Sequence, residues 1–395
     1  MMINAIVNQN QLVILMKKWS IILSLFLLVI LSACTNNTTP LPVIPPAEEQ
    51  FPGLDDAEYV LINPPLDAAH GYNFNQPADV YVGVDNFLYV ADTGNDRIVM
   101  LDAGGQLQGV SGYIPHPEAI TQNDSLQLLI VNKTNVIYRI DLVSVDHQID
   151  IAPIDTVFQQ ASEPTRQFTG ITVHNGFEYY VTVIDVADSS SNFKEFSFIY
   201  DFNANHTLKG PLPLHVNGTG LFSAILPTGI VSLREQWLDI SLTREKTPAF
   251  IFSQTGRTSL LNNNFRVQYI TTTIIEGDEV LTPNVGLINT DIYDPGKFYN
   301  PEDVTIDRSG FIFVVDAGQP PGSPGFDNNP PGFYRFSSSS GKQIQAFIGD
   351  GSNSDHLFFN NPKGIAILPF EEDQIVYVAD TGNNRVLMFK LSTDL

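Results

Sequence analysis

The sequence predicts an all-β fold, a six-bladed β-propeller of four-stranded blades. From Glu58 onward it consists of short β-prone segments separated by Gly, Pro, Asn and Asp, without a convincing amphipathic helix. The octapeptide VADTGNDR at Val90–Arg97 returns near the other end of the chain as VADTGNNR at Val378–Arg385. Because such repetition is typical of propellers and solenoids, we expect the two matching units to meet where a ring closes.

Six units follow one another along the chain. In the clearest units, a strand begins at a proline, a second strand ends at or next to an aspartate, and a turn follows. The clearest units are Phe74–Leu101, Phe298–Gly318 and Phe358–Phe389. Their motifs resemble the NHL repeat, whose family builds propellers of four-stranded blades, so the resemblance implies one blade per unit. The six units start at anchor residues Pro77, Pro117, Phe168, Pro227, Pro301 and Pro362.

The last unit is short of one strand, because the sequence ends at Leu395 just after its third strand. A spare β-rich segment, Glu58–Asn63, lies upstream of the first unit. We expect this segment to supply the missing strand of the last blade and so remove the open edge of the ring.

The N-terminal region predicts export and a lipid anchor. Lys17 and Lys18 precede an apolar run, Trp19–Leu31, and the small residues Ser32 and Ala33 then lead to Cys34. This order of charged, apolar and small residues is that of a signal peptide, and its ending resembles the bacterial lipobox, in which the cysteine is lipidated. An uncleaved transmembrane helix is the alternative, although the apolar run is short for a bilayer.

The chain is therefore expected to have three parts. Residues 1–33 are predicted to be a lipoprotein signal peptide, residues 34–54 the lipidated cysteine and a proline-rich tether, and residues 55–395 the propeller. Thr35, rather than aspartate, follows the cysteine, which favours the outer membrane of the bacterial envelope.

The net charge of the chain limits the kinds of partner that it is expected to bind. Lys and Arg total 20 against 43 Asp and Glu, which gives a formal charge of −23. Such a surface repels polynucleotides and anionic headgroups. We expect no nucleic-acid partner, membrane attachment only through the lipid, and an envelope protein or a glycan as the partner.

The repeated octapeptide carries the most conspicuous polar residues, and we interpret them as structural. Asp and Asn side chains bond backbone amides in tight turns, and Gly94 and Gly382 are expected to supply positive φ. The arginines are expected to reach a carboxylate or carbonyl on an adjacent blade. The residues of this turn motif are Asp92, Asn95, Arg97, Asp380, Asn383 and Arg385.

The central channel is predicted to be acidic at its mouth. The innermost strand of each blade lines the channel of a propeller, and small residues are expected at the second position after each anchor. Asp79 and Asp303 occupy that position, while Glu118 and Glu302 lie one residue closer to the anchors. Since Ca²⁺ prefers such oxygen ligands, these four residues form a possible calcium site. A hydrated acidic funnel without an ion is the alternative, and no other cofactor is predicted.

The face that carries the loops before each anchor is predicted to bind a partner. Blade five departs from the other blades there, because Ala317–Phe333 replaces the compact turn with a segment rich in proline and glycine. Most aromatic residues of this face are expected to pack between blades, and those with exposed rings are binding candidates. The candidates are Tyr72, Tyr299, Phe326, Asp327 and Phe333.

Together, these observations favour a binding or scaffold module over an enzyme. No GxSxG nucleophile motif is present, and the lone cysteine is assigned to the lipid, so no catalytic residue is predicted. The alternative is a hydrolase or lyase that uses a divalent cation in the acidic channel. A subunit of a larger envelope complex is a third possibility.

Overall fold

A computed structural model describes the propeller region. The described residues are 57–187, 197–214, 224–235, 247–256, 265–276, 278–353, 356–368 and 374–394. The predicted signal peptide, Cys34 and the tether lie outside them. Among the described residues, no helix is long and apolar enough to cross a membrane.

The described strands form six antiparallel sheets of four strands each, which confirms the six-bladed propeller. Strand β1, Tyr59–Leu61, precedes the first blade in sequence. Blade one contains β2 Pro77–Val82, β3 Leu88–Asp92, β4 Arg97–Leu101 and β5 Leu107–Val110. Blade two contains β6 Ala119–Gln122, β7 Gln127–Val131, β8 Val136–Asp141 and β9 Ile154–Gln159. Blade three contains β10 Arg166–Asn175, β11 Glu178–Asp185, β12 Ser197–Phe202 and β13 Leu208–Pro211.

The remaining blades follow the same order. Blade four contains β14 Pro227–Ser232, β15 Phe250–Gln254, β16 Val267–Ile275 and β17 Asp278–Pro283. Blade five contains β18 Pro301–Ile306, β19 Phe311–Asp316, β20 Gly332–Ser337 and β21 Gln343–Ile348. Blade six contains β22 Pro362–Ile367, β23 Val376–Asp380 and β24 Arg385–Leu391, with β1 as its fourth strand.

The helices among the described residues are short 3₁₀ turns. They are Ala68–His70, Thr93–Asn95, Val143–Val145, Leu233–Glu235, Val285–Leu287, Asp291–Tyr293, Phe326–Asn328, Thr381–Asn383 and Ser392–Asp394.

The hydrophobic core lies between the blades. The second strand of a blade has neighbours on both faces, so LYVAD of β3 and VYVAD of β23 are buried at every position. One core cluster joins Val90 of blade one to Tyr377 of blade six, and another joins Phe313 of blade five to Val378. Each blade therefore depends on its neighbours for burial of its apolar side chains.

The ring closes as the sequence predicts. Strand β1 pairs antiparallel with β24, with Tyr59 opposite Leu391 and Leu61 opposite Phe389. The buried Tyr59 ring contacts the Phe333 ring of blade five at a centroid distance of 5.0 Å. The early segment thus covers the outer edge of the last blade.

Candidate functional site

The inner strands begin with a β-bulge in five of the six blades. Register shifts lie at Pro77/Asp79, Phe168/Gly170, Pro227/Ile230, Pro301/Asp303 and Pro362/Ile365. A bulge re-aims the side chains beside it, here toward the propeller axis. The residues after the anchors line one end of the central channel, the channel mouth: Ala78, Glu118, Thr169, Thr228, Glu302 and Lys363. A cavity of about 120 Å³ extends from there along the inner strands, as far as Val82, Ile306 and Ile367.

The channel mouth is of mixed charge, with two ammonium groups beside the four predicted carboxyl groups. The Lys133 ammonium group forms an ion pair with the Glu118 carboxylate, and Lys363 Nζ lies 3.5 Å from Glu118 Oε1. Glu302 accepts a hydrogen bond of 2.7 Å from Asn300 Nδ2. Burial raises the pKa of Glu302, although the two ammonium groups oppose that shift. Burial would lower the pKa of Lys363, but the Glu118 and Glu302 carboxylates raise it, so Lys363 stays charged.

Asp79 and Asp303 lie one residue deeper and link neighbouring blades. Asp79 Oδ2 accepts a hydrogen bond of 2.8 Å from the Ile120 backbone N–H of the next blade. Asp303 Oδ2 accepts one of 3.1 Å from Ile365 in the same way. Burial raises the pKa of both carboxyl groups, that of Asp303 to about 7, and the charge of Asp303 raises that of Asp79 further.

The small residues predicted beside the anchors are needed for this close packing. A Cβ atom on Gly364 would lie 2.6 Å from Asp79 Cα, and one on Gly229 would lie 2.7 Å from Asp303 Cα. Each aspartate therefore fits against a glycine of the preceding blade. Asp79 and Asp303 are larger than the residues expected at their positions, and each lies where the facing blade has a glycine that leaves space for it.

The channel residues do not fit a calcium ion. Ca²⁺ takes six to eight oxygen ligands, yet Glu118 is occupied by two ammonium groups, and Asp79 and Asp303 each use an oxygen to join two blades. Within the described residues, no group of three or more His, Cys, Asp or Glu side chains could hold a metal ion. The predicted calcium site is therefore not confirmed.

The repeated turn motif forms the same network in blades one and six, which we call the clasp. Asp380 Oδ2 accepts hydrogen bonds from Arg385 Nε at 2.7 Å and Asn383 Nδ2 at 2.8 Å, and Asp380 Oδ1 accepts one from the Asn360 N–H at 2.8 Å. In blade one, Asp92 bonds in the same way to Arg97, Asn95 and Asn75. Asp92 and Asp380 are fully buried, so the clasp satisfies their charge and fixes the turn.

Two details of the clasp differ from the prediction. The arginines reach carbonyls of their own blade rather than an adjacent one, because Arg97 Nη2 donates to Asn73 O and Arg385 Nη2 to Phe358 O. The positive φ falls on Asp96 and Asn384, at 55° and 53°. Gly94 and Gly382 instead provide space, since their Cβ atoms would lie 2.8 and 2.6 Å from the carbonyl oxygens of Asn75 and Asn360.

The clasp also joins consecutive blades through its one variable position. Asp96 Oδ1 accepts a hydrogen bond of 2.8 Å from the His116 N–H of blade two. Asn384 Oδ1 accepts one of 2.7 Å from the Gln76 N–H of blade one, across the closure of the ring. The residue that differs between the two octapeptides therefore performs the same task in both.

The binding candidates on the loop face have different environments. Phe333 is fully buried in β20 against Tyr59 and Phe389, so its predicted availability to a partner is wrong. Phe326, Tyr72 and Tyr299 are half-buried, and Asp327 is exposed. The Tyr72 hydroxyl donates to Gly105 O at 2.7 Å, which fixes that ring against its own blade.

Two aromatic residues of this face have open rings: Tyr113, in the loop before the Pro117 anchor, is 72 % exposed, and Phe358 is 50 % exposed. Its neighbours Leu357 and Phe359 are buried, so the extended backbone turns the Phe358 side chain outward. The ring borders a groove of about 750 Å³. Further groove residues are Asp67, Pro320, Pro321, His356 and Arg385.

Sequence reasoning missed three features of the site. Lys133 lies in the turn after β7 with φ of 54°, and only the third dimension brings it to Glu118. Leu357, Phe358 and Phe359 are all apolar, so the sequence does not distinguish the exposed Phe358 from its buried neighbours. The single difference between the octapeptides could have pointed to Asp96 and Asn384 as a link rather than a site.

Comparisons with known proteins agree with this architecture. Residues 74–99 match the NHL repeat. The chain is a six-bladed β-propeller with an NHL repeat in its first blade. No curated protein sequence matches it.

Several solved structures share the fold at low identity. A luciferin-regenerating enzyme has a TM-score of 0.54 and 10% identity, with 85% of this chain and 95% of that chain covered. A calcium-binding protein, regucalcin, from Agrobacterium tumefaciens has a TM-score of 0.53 and 11% identity, with 84% and 94% covered. A protein of unknown function from Bacteroides thetaiotaomicron has a TM-score of 0.52 and 13% identity, with 85% and 76% covered. At such identities the likeness establishes the fold alone.

Proposed function

We propose that this protein is a lipid-anchored binding module of the bacterial envelope that holds a protein or glycan partner on the loop face of its propeller. The groove beside Phe358 carries this proposal. An outward phenylalanine next to two exposed prolines, with Asp67 and Arg385 at its border, offers apolar contact together with hydrogen-bonding groups. Partner-binding surfaces commonly combine these two properties.

The framework around the groove is rigid, which favours recognition. The Phe358 carbonyl accepts hydrogen bonds from Arg385 Nη2 at 2.9 Å and Asn383 Nδ2 at 3.1 Å, so the clasp of blade six holds the backbone of the exposed residue. Opposite it, Gln319 N–H donates to Asn329 O at 2.8 Å and draws together the ends of the blade-five insertion. A preorganised surface loses less entropy on binding than a flexible one.

Site-specific photocrosslinking of the full-length chain in bacterial cells tests the groove. The variant Phe358→p-benzoylphenylalanine should yield an adduct that mass spectrometry identifies as a protein or a glycan. The matched control is Phe177→p-benzoylphenylalanine, because Phe177 is 41 % exposed but lies in the turn at the far end of an inner strand. Equal adducts at both positions, or none at position 358, would contradict the proposal.

The blade-five insertion provides an independent variant. Residues 319–330 can be replaced by a short Gly-Asn turn without touching the buried Phe333, because the ends of the insertion are already joined by a backbone hydrogen bond. The adduct at position 358 should weaken strongly in this variant. An unchanged adduct would remove the insertion from the binding surface.

The anchor is tested separately. The apolar run before Cys34 motivates the proposal that this cysteine carries the lipid. The variant Cys34→Ala should move the chain from the membrane fraction to the soluble fraction, and a chain that stays with the membranes would contradict lipidation at this residue.

A further inference from the structure

The Phe358 ring lies flat against Gly351 and leaves its other face open. A Cβ atom on Gly351 would lie 2.1 Å from Phe358 Cζ and 2.5 and 2.7 Å from the two Cε atoms, so Gly351 lies over a ring face rather than beyond the ring edge. The backbone there is fixed, because the Gly351 N–H donates to Leu357 O at 2.9 Å. The exposed half of Phe358 is therefore mainly the opposite ring face, a flat apolar platform at the border of the groove.

Such a platform suits stacking better than anchoring. A phenylalanine that anchors a protein interface commonly inserts into a pocket of the partner, whereas Gly351 covers one face of Phe358 and leaves the other for contact. The face of an aromatic ring carries partial negative charge, and the C–H groups on one side of a sugar ring carry partial positive charge. A sugar ring parallel to Phe358 would therefore make a broad and favourable contact.

The polar side chains of the groove have unused hydrogen-bond acceptors. Asp67 Oδ1 bonds to the backbone N–H and Nδ1 of His70, and Asn383 Nδ2 donates to Asp380 and to Phe358 O. Among the described residues, no hydrogen bond uses Asp67 Oδ2 or Asn383 Oδ1. The groove thus presents acceptors beside the platform and favours a ligand rich in hydroxyl donors.

The charges around the groove disfavour an anionic ligand. The Arg385 guanidinium is already paired with the Asp380 carboxylate at 2.7 Å. The carboxylate of Asp67 lines the same groove, and the chain carries a formal charge of −23. Because these negative charges repel anions, a neutral ligand fits the groove better than an acidic one.

We propose that the groove binds a neutral glycan, one sugar ring of which stacks on Phe358 while its hydroxyl groups donate to Asp67 and Asn383. The groove volume of about 750 Å³ exceeds that of a single sugar ring, so a short run of linked sugars fits. This inference rests on the binding function proposed above and names the class of partner at the same site.

Isothermal titration of the purified full-length chain tests the class of ligand. The neutral probes are maltohexaose, cellohexaose, laminarihexaose and mannohexaose, and the acidic probe is hexagalacturonate. At least one neutral probe should bind, and hexagalacturonate should bind at least about tenfold more weakly than that probe. No binding of any neutral probe would overturn the inference, as would hexagalacturonate binding as tightly as the best neutral probe.

Variants of Phe358 separate stacking from general apolar contact. Phe358→Tyr keeps the ring and should retain the affinity for the bound probe within about threefold, whereas Phe358→Leu stays apolar but should weaken it at least about fivefold. The matched control Phe177→Leu, at the exposed phenylalanine on the far face, should leave binding unchanged. Equal losses in the two Phe358 variants, or no loss in Phe358→Leu, would contradict stacking.

The variant Asp67→Asn tests the polar contact. It keeps an acceptor for His70 but removes the charge, so binding should weaken about fivefold. The matched control is Asp102→Asn, whose carboxylate likewise accepts backbone N–H groups of a turn, those of Gly104 and Gln106 at 2.9 Å, away from the groove. Thermal melting checks the fold of each variant. An affinity in Asp67→Asn equal to that of the unmodified chain would contradict this contact.

The crosslink at position 358 separates this inference from the proposed function. A glycan in the adduct would support both. A protein in the adduct would overturn the glycan inference and leave the binding module in place, whereas the absence of any adduct would contradict the binding module itself.

Discussion

In blade five and in blade six, the second strand ends at a buried aspartate, but the hydrogen-bond donors that reach the two aspartates differ. In blade six, Asp380 pairs with Arg385 of its own compact turn at 2.7 Å. In blade five, the two oxygens of Asp316 accept backbone N–H groups at 2.6 to 2.8 Å, from Tyr299, Asn300 and Gly318. Both blades therefore bury a carboxylate that needs hydrogen-bond donors. Blade six supplies an arginine, and blade five supplies backbone N–H groups.

This difference shows how the propeller accommodates an insertion. Because Asp316 is held by the loop before its own blade and by Gly318, the chain after Gly318 is free to leave the compact path. It does so for residues 319–330 and returns at β20. In blade six the clasp keeps the turn short and fixes the carbonyl of Phe358. One blade thus supplies the irregular wall of the groove and the other supplies its rigid base.

The largest effect is expected for Asp316→Ala. Its removal leaves three backbone N–H groups without their acceptor in a buried site, so we expect the free energy of unfolding to fall by about 3 kcal/mol. Urea unfolding measures this loss. The control is Asp327→Ala, an exposed carboxylate of the same insertion, which should change stability little. If both variants unfold alike, the backbone amides do not depend on Asp316.

A smaller effect, with a characteristic pH dependence, is expected for Arg385→Gln. Burial raises the pKa of Asp380 and the Arg385 guanidinium lowers it, so the variant should raise that pKa further. We expect a loss of about 2 kcal/mol near neutral pH, because a buried carboxylate is left without its cation.

The sign of this pH dependence follows from the raised pKa. A carboxyl group with a folded-state pKa above its unfolded value stabilises the fold at low pH, and this stabilisation is lost as the pH rises through the folded-state pKa. The variant should therefore lose more stability relative to the unmodified chain at about pH 8 than at about pH 5. Urea midpoints at the two values measure this, and a loss independent of pH would show that Asp380 stays ionised without the arginine.

The fold was predictable because its signals are local. Proline at the start of an inner strand, aspartate at the end of the second strand and a tight turn recur in order, so the blades could be counted from the sequence. Strand β1 could be assigned because Glu58–Asn63 lies upstream of the first unit, while the last unit lacks one strand. The pairing of β1 with β24 confirms the assignment.

The site was less predictable because it depends on which side chains meet across the ring. Glu118 and Lys363 each directly follow an anchor, so the sequence predicts that they occupy equivalent positions in two blades. It does not predict that the two side chains approach each other across the small Ala78. Phe358 and Phe359 are adjacent in the sequence, yet the first is exposed and the second is buried. Register and cross-blade contact are properties of the closed ring and leave no local signal.

The smallest effect concerns the one position at which the two clasps differ. Asp96 and Asn384 share a left-handed backbone, which Asn and Asp tolerate better than most residues, and each accepts one backbone N–H of the next blade. Asp96→Asn should therefore change the free energy of unfolding by less than about 0.5 kcal/mol, whereas Asp96→Ala should lower it by about 1 kcal/mol through the lost hydrogen bond. The reciprocal pair, Asn384→Asp and Asn384→Ala, should behave alike at the closure of the ring. Urea unfolding of the four variants measures this, and a large loss in Asp96→Asn would mean that its charge, rather than its acceptor oxygen, joins the blades.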